Sequence, residues 1–275
     1  MGQLWFIQSN LTGHENELTA FVRAFQGLML QWAAVPVLPF EKELRTIPWD
    51  GPRVFYGSTK LVKLAHENRA ERDPFFFDPE KYKTSVWGRA LGWRYNTSAG
   101  VLTTVEHVLR REVPHVEGEF FVRPDADLKS FVGQVIDIAD AEKRFTEWSH
   151  GWTAFDRNAP VLVAPVKKLI SEVRLWMVEG EPVAGVAYRS QGKRISAPLD
   201  LSDPDLAGLV KFASECDHTL EDFLDQVYVL DVARVSPSEA WTVMEVNSFH
   251  ASGFYHELCV LPVIRAVSDH VAKYY

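Results

Sequence analysis

Two apolar stretches near the end of the chain carry oxygen-bearing side chains where a core strand would carry Val or Ile. The first runs Tyr228-Val-Leu-Asp231-Val-Ala-Arg234 and the second Trp241-Thr-Val-Met-Glu245-Val-Asn247. Glu245 and Asn247 are two apart, so on a strand both side chains leave the same face. The polar segment Ser236-Pro237-Ser238-Glu239 suits a hairpin turn that sets the strand of Asp231 beside them. An isolated Asp, Glu or Asn on a strand usually marks an exposed polar face. Here the flanking residues are apolar on both strands, so three oxygen donors are expected to converge on one half-buried face. Hard cations such as magnesium take that donor set, with remaining positions left to water and nucleotide phosphates.

The rest of the chain bounds the fold. It has 275 residues, 47% of them hydrophobic and 24% charged, enough for one large α/β unit or two to three lobes. A net charge of −8 argues against a broad nonspecific nucleic-acid surface. The two cysteines, Cys216 and Cys259, form neither a metal spacing nor a disulfide framework, which points to a reducing cytoplasm. The first residues turn polar too soon for a signal peptide, and no apolar run reaches the roughly 20 residues that span a bilayer.

Periodicity divides the chain into blocks. Strands at Leu4–Ile7, Ala34–Leu38 and Arg53–Tyr56 alternate with helices at Glu15–Met29 and Leu61–His66, the rhythm of a small doubly wound α/β lobe. The aromatic, proline-bearing stretch from Arg72 to Glu80 reads as a linker. A helix is expected through Thr103–Leu109, capped by Asn96 or Ser98. Strands Glu119–Arg123, Phe131–Ile138 and Val161–Ala164 flank a helix at Ala139–Trp148, an antiparallel α+β lobe. A hairpin follows, Glu172–Val178 and Pro182–Arg189 about Glu179-Gly180, then a helix over Leu206–Ala213. The chain closes with a helix over Leu258–Lys273. The segments 149–160 and 190–202 carry no readable motif.

Within this frame, Arg123 ends an apolar strand and Lys129 lies in the loop after it. The pair suits a phosphate clamp, and equally two solvated surface charges. Glu172 and Arg174 share a strand face, and the hairpin should bring them near Tyr188. An inward Arg174 needs an anionic partner, either Glu172 or a bound phosphate. The nine histidines show no paired metal spacing, and neither a P-loop nor a nucleophile elbow is present.

Taken in order, Arg123-Pro124, Lys129, the strand ending Val163-Ala164-Pro165, Glu172-Val173-Arg174, Asp231 and Glu245-Val246-Asn247 resemble an ATP-grasp enzyme. Arginine at position 123, where many members place lysine, is similar to a branch found in phages and bacteria. The resemblance covers residues 86–275 and implies three parts: an α/β lobe over 1–85, a small lobe over 86–165 and a large, metal-binding lobe over 166–275. It implies an α/β (α+β) fold whose two antiparallel sheets clamp ATP. On this reading Val163, Ala164, Pro165 and Val166 form the adenine hinge, with Lys167 or Lys168 adding a contact. Arg123, Lys129 and Glu172 contact ATP. Arg174, which meets the γ-phosphate or an acyl phosphate, and Lys129 carry the catalysis. Asp231, Glu245 and Asn247 hold magnesium. The implied reaction joins a carboxylate to an amine, on an amino acid, peptide or protein, in the cytoplasm. A homodimer is a family-level expectation, and no membrane or nucleic-acid partner is expected. Phosphoryl transfer from the same site and nucleotide binding without turnover are the two other readings.

Overall fold

The computed structural model describes residues 2–11, 15–38, 40–44, 47–114, 116–127, 131–149 and 156–275, with Glu15 and Asn16 in backbone only. Its first strand, β1 (Leu4–Gln8), is buried along its whole length, and a strand buried on both faces belongs at a sheet centre. It pairs in parallel with β2 (Gln31–Val35) on one side and β3 (Arg53–Tyr56) on the other, giving the order β2-β1-β3. The connecting helix α1 (Glu15–Leu28) packs Phe21 and Phe25 against Tyr56 and Trp5. Helix α2 (Thr59–Asn68) starts where the Ser58 hydroxyl accepts from the Leu61 amide. The second strand was expected at Ala34–Leu38 but ends at Val35. The Asn10 carboxamide takes both backbone groups of Val37, at 3.0 and 2.8 Å, and so removes that residue from the ladder.

The expected linker after α2 is instead interior: Phe75, Phe76 and Phe77 are all buried. His250, itself fully buried, stacks on Phe75 and Phe76. Its Nε2 accepts from the Phe76 amide at 2.8 Å, so Nδ1 carries the proton and donates to the Phe55 carbonyl. Burial pulls the imidazole pKa down to about 4. An unfolded chain protonates His250 near pH 6.5, so its contribution is complete above that pH and is lost as pH falls toward 4. The loss amounts to about 3 kcal/mol. Denaturant midpoints at pH 7 and pH 4.5 should therefore fall less steeply for His250→Asn than for the natural protein; equal slopes would refute the assignment.

Helix α3 (Thr84–Leu91) leads to a four-stranded antiparallel sheet of order β4-β7-β5-β6. Its strands are β4 (Val101–Thr104), β5 (Glu119–Pro124), β6 (Gln134–Asp137) and β7 (Pro160–Ala164). The expected helix over Thr103–Leu109 is only α4 (Val105–Leu109). The hydroxyl of Thr104 caps it by accepting from the His107 amide, while Val101–Thr104 pairs with Pro160–Val163. Asn96 and Ser98 do not cap it. Helix α5 (Ala141–Ser149) completes a separate core of Val108, Phe120, Val122, Ile136, Phe145 and Val161.

The last sheet is antiparallel throughout, in the order β10-β9-β8-β11-β12. It comprises β8 (Leu169–Val178), β9 (Glu181–Ser190), β10 (Lys193–Pro198), β11 (Val227–Val235) and β12 (Ala240–Ser248). Glu179 and Gly180 both take positive φ, 50° and 87°, as a two-residue hairpin of type I′ requires. Gln191 and Gly192 repeat the device at 48° and 77°, which creates β10 inside the segment that carried no motif. Helix α6 (Ala207–Leu220) runs seven residues past its expected end and covers one face of the sheet, against Leu175, Met177, Leu230 and Val232. Helices α1 and α7 (Val260–Tyr274) cover the other, against Trp176, Val178 and Val229. The α/β lobe therefore shares its two larger cores with the large sheet, whereas the four-stranded sheet, apart from Leu162, builds its own.

Candidate functional site

The site forms where one face of the large sheet runs out from beneath α1 and α7. In β8, Trp176 and Val178 lie under the helices, and the next residues on that face are Arg174 and Glu172. Register continues the row across the sheet: Arg174 lies opposite Asp231, and Asp231 opposite Glu245, with Asn247 two residues along the same face. A bulge between Asp231 and Val232 shifts the β11–β12 pairing at this point, as bulges beside functional sites often do.

Arg174 and Asp231 form a two-toothed ion pair, with Nε and Nη2 each 2.8 Å from a carboxylate oxygen. Both are almost fully buried, at 4% and 3% exposure. The third donor of Arg174, Nη1, reaches the Gly253 carbonyl at 2.9 Å, and the guanidinium lies over the Tyr255 ring. Burial alone would pull the Arg174 pKa down, but the Asp231 charge and its hydrogen bonds hold it raised. The partner of Arg174 is thus Asp231, not Glu172. Glu172 instead accepts from the Tyr188 hydroxyl at 3.1 Å and pairs with Arg189. Burial, then the Asp231 and Glu172 charges, raise the Tyr188 pKa, so this phenol stays protonated.

The small-lobe sheet supplies the opposing wall. Arg123, on β5, crosses to β12, donating to Glu245 Oε1 at 2.8 Å and to the Met244 carbonyl at 3.1 Å. Burial is the largest effect and lowers its pKa, but Glu245, Tyr95 and Asp127 together outweigh it and the guanidinium stays charged. This ion pair bridges the two sheets across a cleft of about 660 Å³. Of the expected hinge residues, Val163 and Ala164 are buried at the end of β7, Pro165 lines the cleft, and Val166 is exposed and lies outside the lining. Lys167 lines it as well and donates to the Asn96 carbonyl; burial lowers its pKa. Lys129 falls outside the described residues.

Asp231, Glu245 and Asn247 offer two carboxylates and an amide on one face, a set that suits a hard cation. A carboxylate has about four lone-pair sites. On Asp231 three are used, two by Arg174 and one by Asn247 Nδ2 at 3.1 Å. Asp231 and Glu245 open onto the cleft, whereas Asn247 lines a smaller hollow beside it, with Thr59, Phe77 and Ser252. Among the described residues no group of three or more His, Cys, Asp or Glu side chains forms a metal cluster, so a metal here depends on the amide.

Sequence reasoning passed over several residues of the site. Tyr255, at φ 58°, closes one end of the cleft, and its carbonyl accepts from Ser196 on β10 at 2.6 Å. Asn96 and Thr97 lie on the cleft floor. A loop tyrosine and an Asn-Thr pair carry no spacing signal; only their docking on distant strands reveals them.

A family model for the ATP-grasp domain, that of clade family 3, matches residues 69–268. A search of curated protein sequences finds no significant match. Among solved structures, a RimK domain protein ATP-grasp from Sphaerobacter thermophilus superposes with a TM-score of 0.64 at 12% identity, over 98% of this chain and 100% of the other. The D-cycloserine synthetase DcsG gives 0.62 at 13% identity over 98% and 100%. The ATP-grasp ligase PsnB, complexed with minimal precursor, Mg and ADP, gives 0.55 at 12% identity over 98% and 97%. These likenesses establish a shared fold. No helix among the described residues is long and apolar enough to cross a membrane.

Proposed function

Since the chain belongs to the ATP-grasp domain family, in clade family 3, we propose that it is an ATP- and magnesium-dependent carboxylate–amine ligase working through an acyl phosphate. The observation that carries this reading is the row Arg174–Asp231–Glu245–Asn247 on one sheet, faced by Arg123 from the other. The chemistry asks for positioning and charge neutralisation rather than a nucleophilic side chain. Arg123 gathers ATP phosphates where related enzymes use lysine, and Lys129 assists it. The backbone of Val163–Val166 receives the base, and Glu172 borders the nucleotide. Asp231, Glu245 and Asn247 would hold magnesium, which would supply charge to offset that of the transferring phosphoryl group. Arg174 stabilises the negative charge that builds up on the phosphate and acyl phosphate. The substrate carboxylate attacks the γ-phosphorus, ADP leaves, and an amine displaces phosphate to give the amide. An amino acid, peptide or protein terminus would supply carboxylate and amine. The three lobes, 1–85, 86–165 and 166–275, divide the work, with the small lobe closing on the large.

Arg123→Ala should weaken ATP binding by roughly tenfold or more, since it removes a charge-assisted contact and the bridge between the sheets. Titration calorimetry checks this; unchanged affinity would remove Arg123 from the nucleotide site. The reaction itself is tested by incubating the protein with ATP, magnesium and a panel of amino acids and peptides in hydroxylamine. Hydroxylamine traps an acyl phosphate as a hydroxamate. Hydroxamate formed in step with ADP supports the ligase. A phosphate ester with no hydroxamate would turn the reading to phosphoryl transfer.

A further inference from the structure

Tyr255 stands at φ 58°, and a turn of three residues closes around it, the His256 amide donating to the Phe254 carbonyl at 2.7 Å. Of the two forms of that turn, the one with positive φ at its centre is rare and strained. A bulky side chain at positive φ is an outlier in any fold. The other described non-glycine residues at positive φ are Met29, Arg111, Glu179, Gln191 and Glu239. Each follows a helix or turns a hairpin, and none lines the cleft.

The chain around Tyr255 is held at each step. The Ser252 carbonyl accepts from the Tyr56 hydroxyl at 2.7 Å, and that of Gly253 from Arg174 at 2.9 Å. The Phe254 amide donates to Glu17 Oε1 at 2.9 Å, and its ring stacks on Trp176. The Tyr255 carbonyl accepts from Ser196. A strained residue persists where its surroundings over-determine it, and such residues gather at ligand sites. Burial of the ring does not repay the strain, because Tyr255 is 53% exposed. Its hydroxyl has no hydrogen-bond partner among the described residues. One face of the ring covers Arg174, 4.5 Å away, and the Tyr188 ring lies 5.3 Å to the side. Both tyrosines line the cleft, whereas Arg174 beneath them does not. What a ligand meets at this end is therefore an aromatic corner, set above the Arg174–Asp231 pair.

We infer that Tyr255, with Tyr188, selects the carboxylate substrate by the side chain next to its reacting carboxylate, and takes an aromatic or large aliphatic one. Tyrosine rings offer rigid apolar surface at little cost in side-chain freedom. A cationic side chain on the open face of Tyr255 would meet the charge of Arg174 through the ring. Asp231, the partner of Arg174, opens onto the cleft beside this corner. A side chain seated there thus leaves its own carboxylate next to the proposed phosphate site. This selectivity rests on the ligase reading and goes beyond it in naming the acid.

The test is hydroxamate formation by the full chain, with ATP and magnesium, from the standard amino acids and their glycyl dipeptides. The natural protein should favour phenylalanine and leucine, or their dipeptides, over the alanine counterparts by about tenfold or more in kcat/KM, the range for added apolar groups in a pocket. Tyr255→Ala should bring that ratio close to one, and Tyr255→Phe should keep it. A merely structural role would slow every acid alike and leave the ratio unchanged. The strain is read separately in the melting temperature without ligands. Tyr255→Gly should melt roughly 2 °C or more above Tyr255→Ala, since both lack the ring and only glycine is at ease at positive φ. Equal melting would overturn the strain from which the role is argued. A natural preference for small or charged acids, or a ratio unmoved in Tyr255→Ala, would overturn the role of Tyr255 and leave the ligase standing. No hydroxamate from any acid would overturn both.

Discussion

Asp231→Ala is expected to destabilise the folded chain by about 3–5 kcal/mol. Arg174 is almost wholly buried, and two of its nitrogens rest on Asp231. Removing the carboxylate leaves a guanidinium in the sheet interior with only the Gly253 carbonyl and the face of Tyr255. Arginine does not escape by losing its proton, so the charge must stay buried or the sheet must open. The double substitution Arg174→Met with Asp231→Leu should recover most of the loss, because it removes both charges and keeps apolar volume. Urea midpoints at constant slope measure both. If Asp231→Ala lost less than about 1 kcal/mol, the range of an exposed pair, the buried ion pair would not be the brace described above.

Glu245→Gln is expected to lower magnesium-dependent ATP turnover by about 10²–10³-fold or more, the range for loss of one preorganised electrostatic group. The fold should survive, because Gln keeps an oxygen for the hydrogen bond that Arg123 donates across the cleft. What disappears is a formal charge beside Asp231, and with it much of the attraction for a divalent cation. Loss of turnover in a variant that still unfolds cooperatively, with a urea midpoint lowered far less than in Asp231→Ala, supports the metal role. Full turnover in Glu245→Gln would take Glu245 out of the site.

The second of these predictions concerns residues whose shared strand face was legible in the sequence, for a physical reason. Glu245 and Asn247 interrupt an apolar run at a spacing of two, and a period of two has one structural meaning in a strand. The same logic gives Leu4–Ile7 and Arg53–Tyr56, whose apolar content leaves no alternative to a buried strand. Strand β10 was invisible because all six of its residues are exposed, so no face of it alternates. The helix expected over Thr103–Leu109 misjudged its first turn. Val101 to Thr104 are compatible with either structure, and the neighbouring β7, distant in the chain, decides for strand. The partner of Arg174 was equally out of reach. Choosing between Glu172 on its own strand and Asp231 on the next requires the cross-strand register, bulge included. Asn96 reads locally as a helix cap and becomes a cleft residue only through its bond to Val243.

The most direct test of the central claim is the melting temperature of the natural protein and of Glu245→Gln with ATP, with and without magnesium. A ligand that binds only the folded state at 100 times its dissociation constant adds about 2.7 kcal/mol of stability. The account predicts a clear upward shift for the natural protein with ATP and magnesium together, and a much smaller one for Glu245→Gln. No shift at millimolar magnesium ATP would contradict nucleotide binding in the cleft, and equal shifts in both proteins would contradict the metal site.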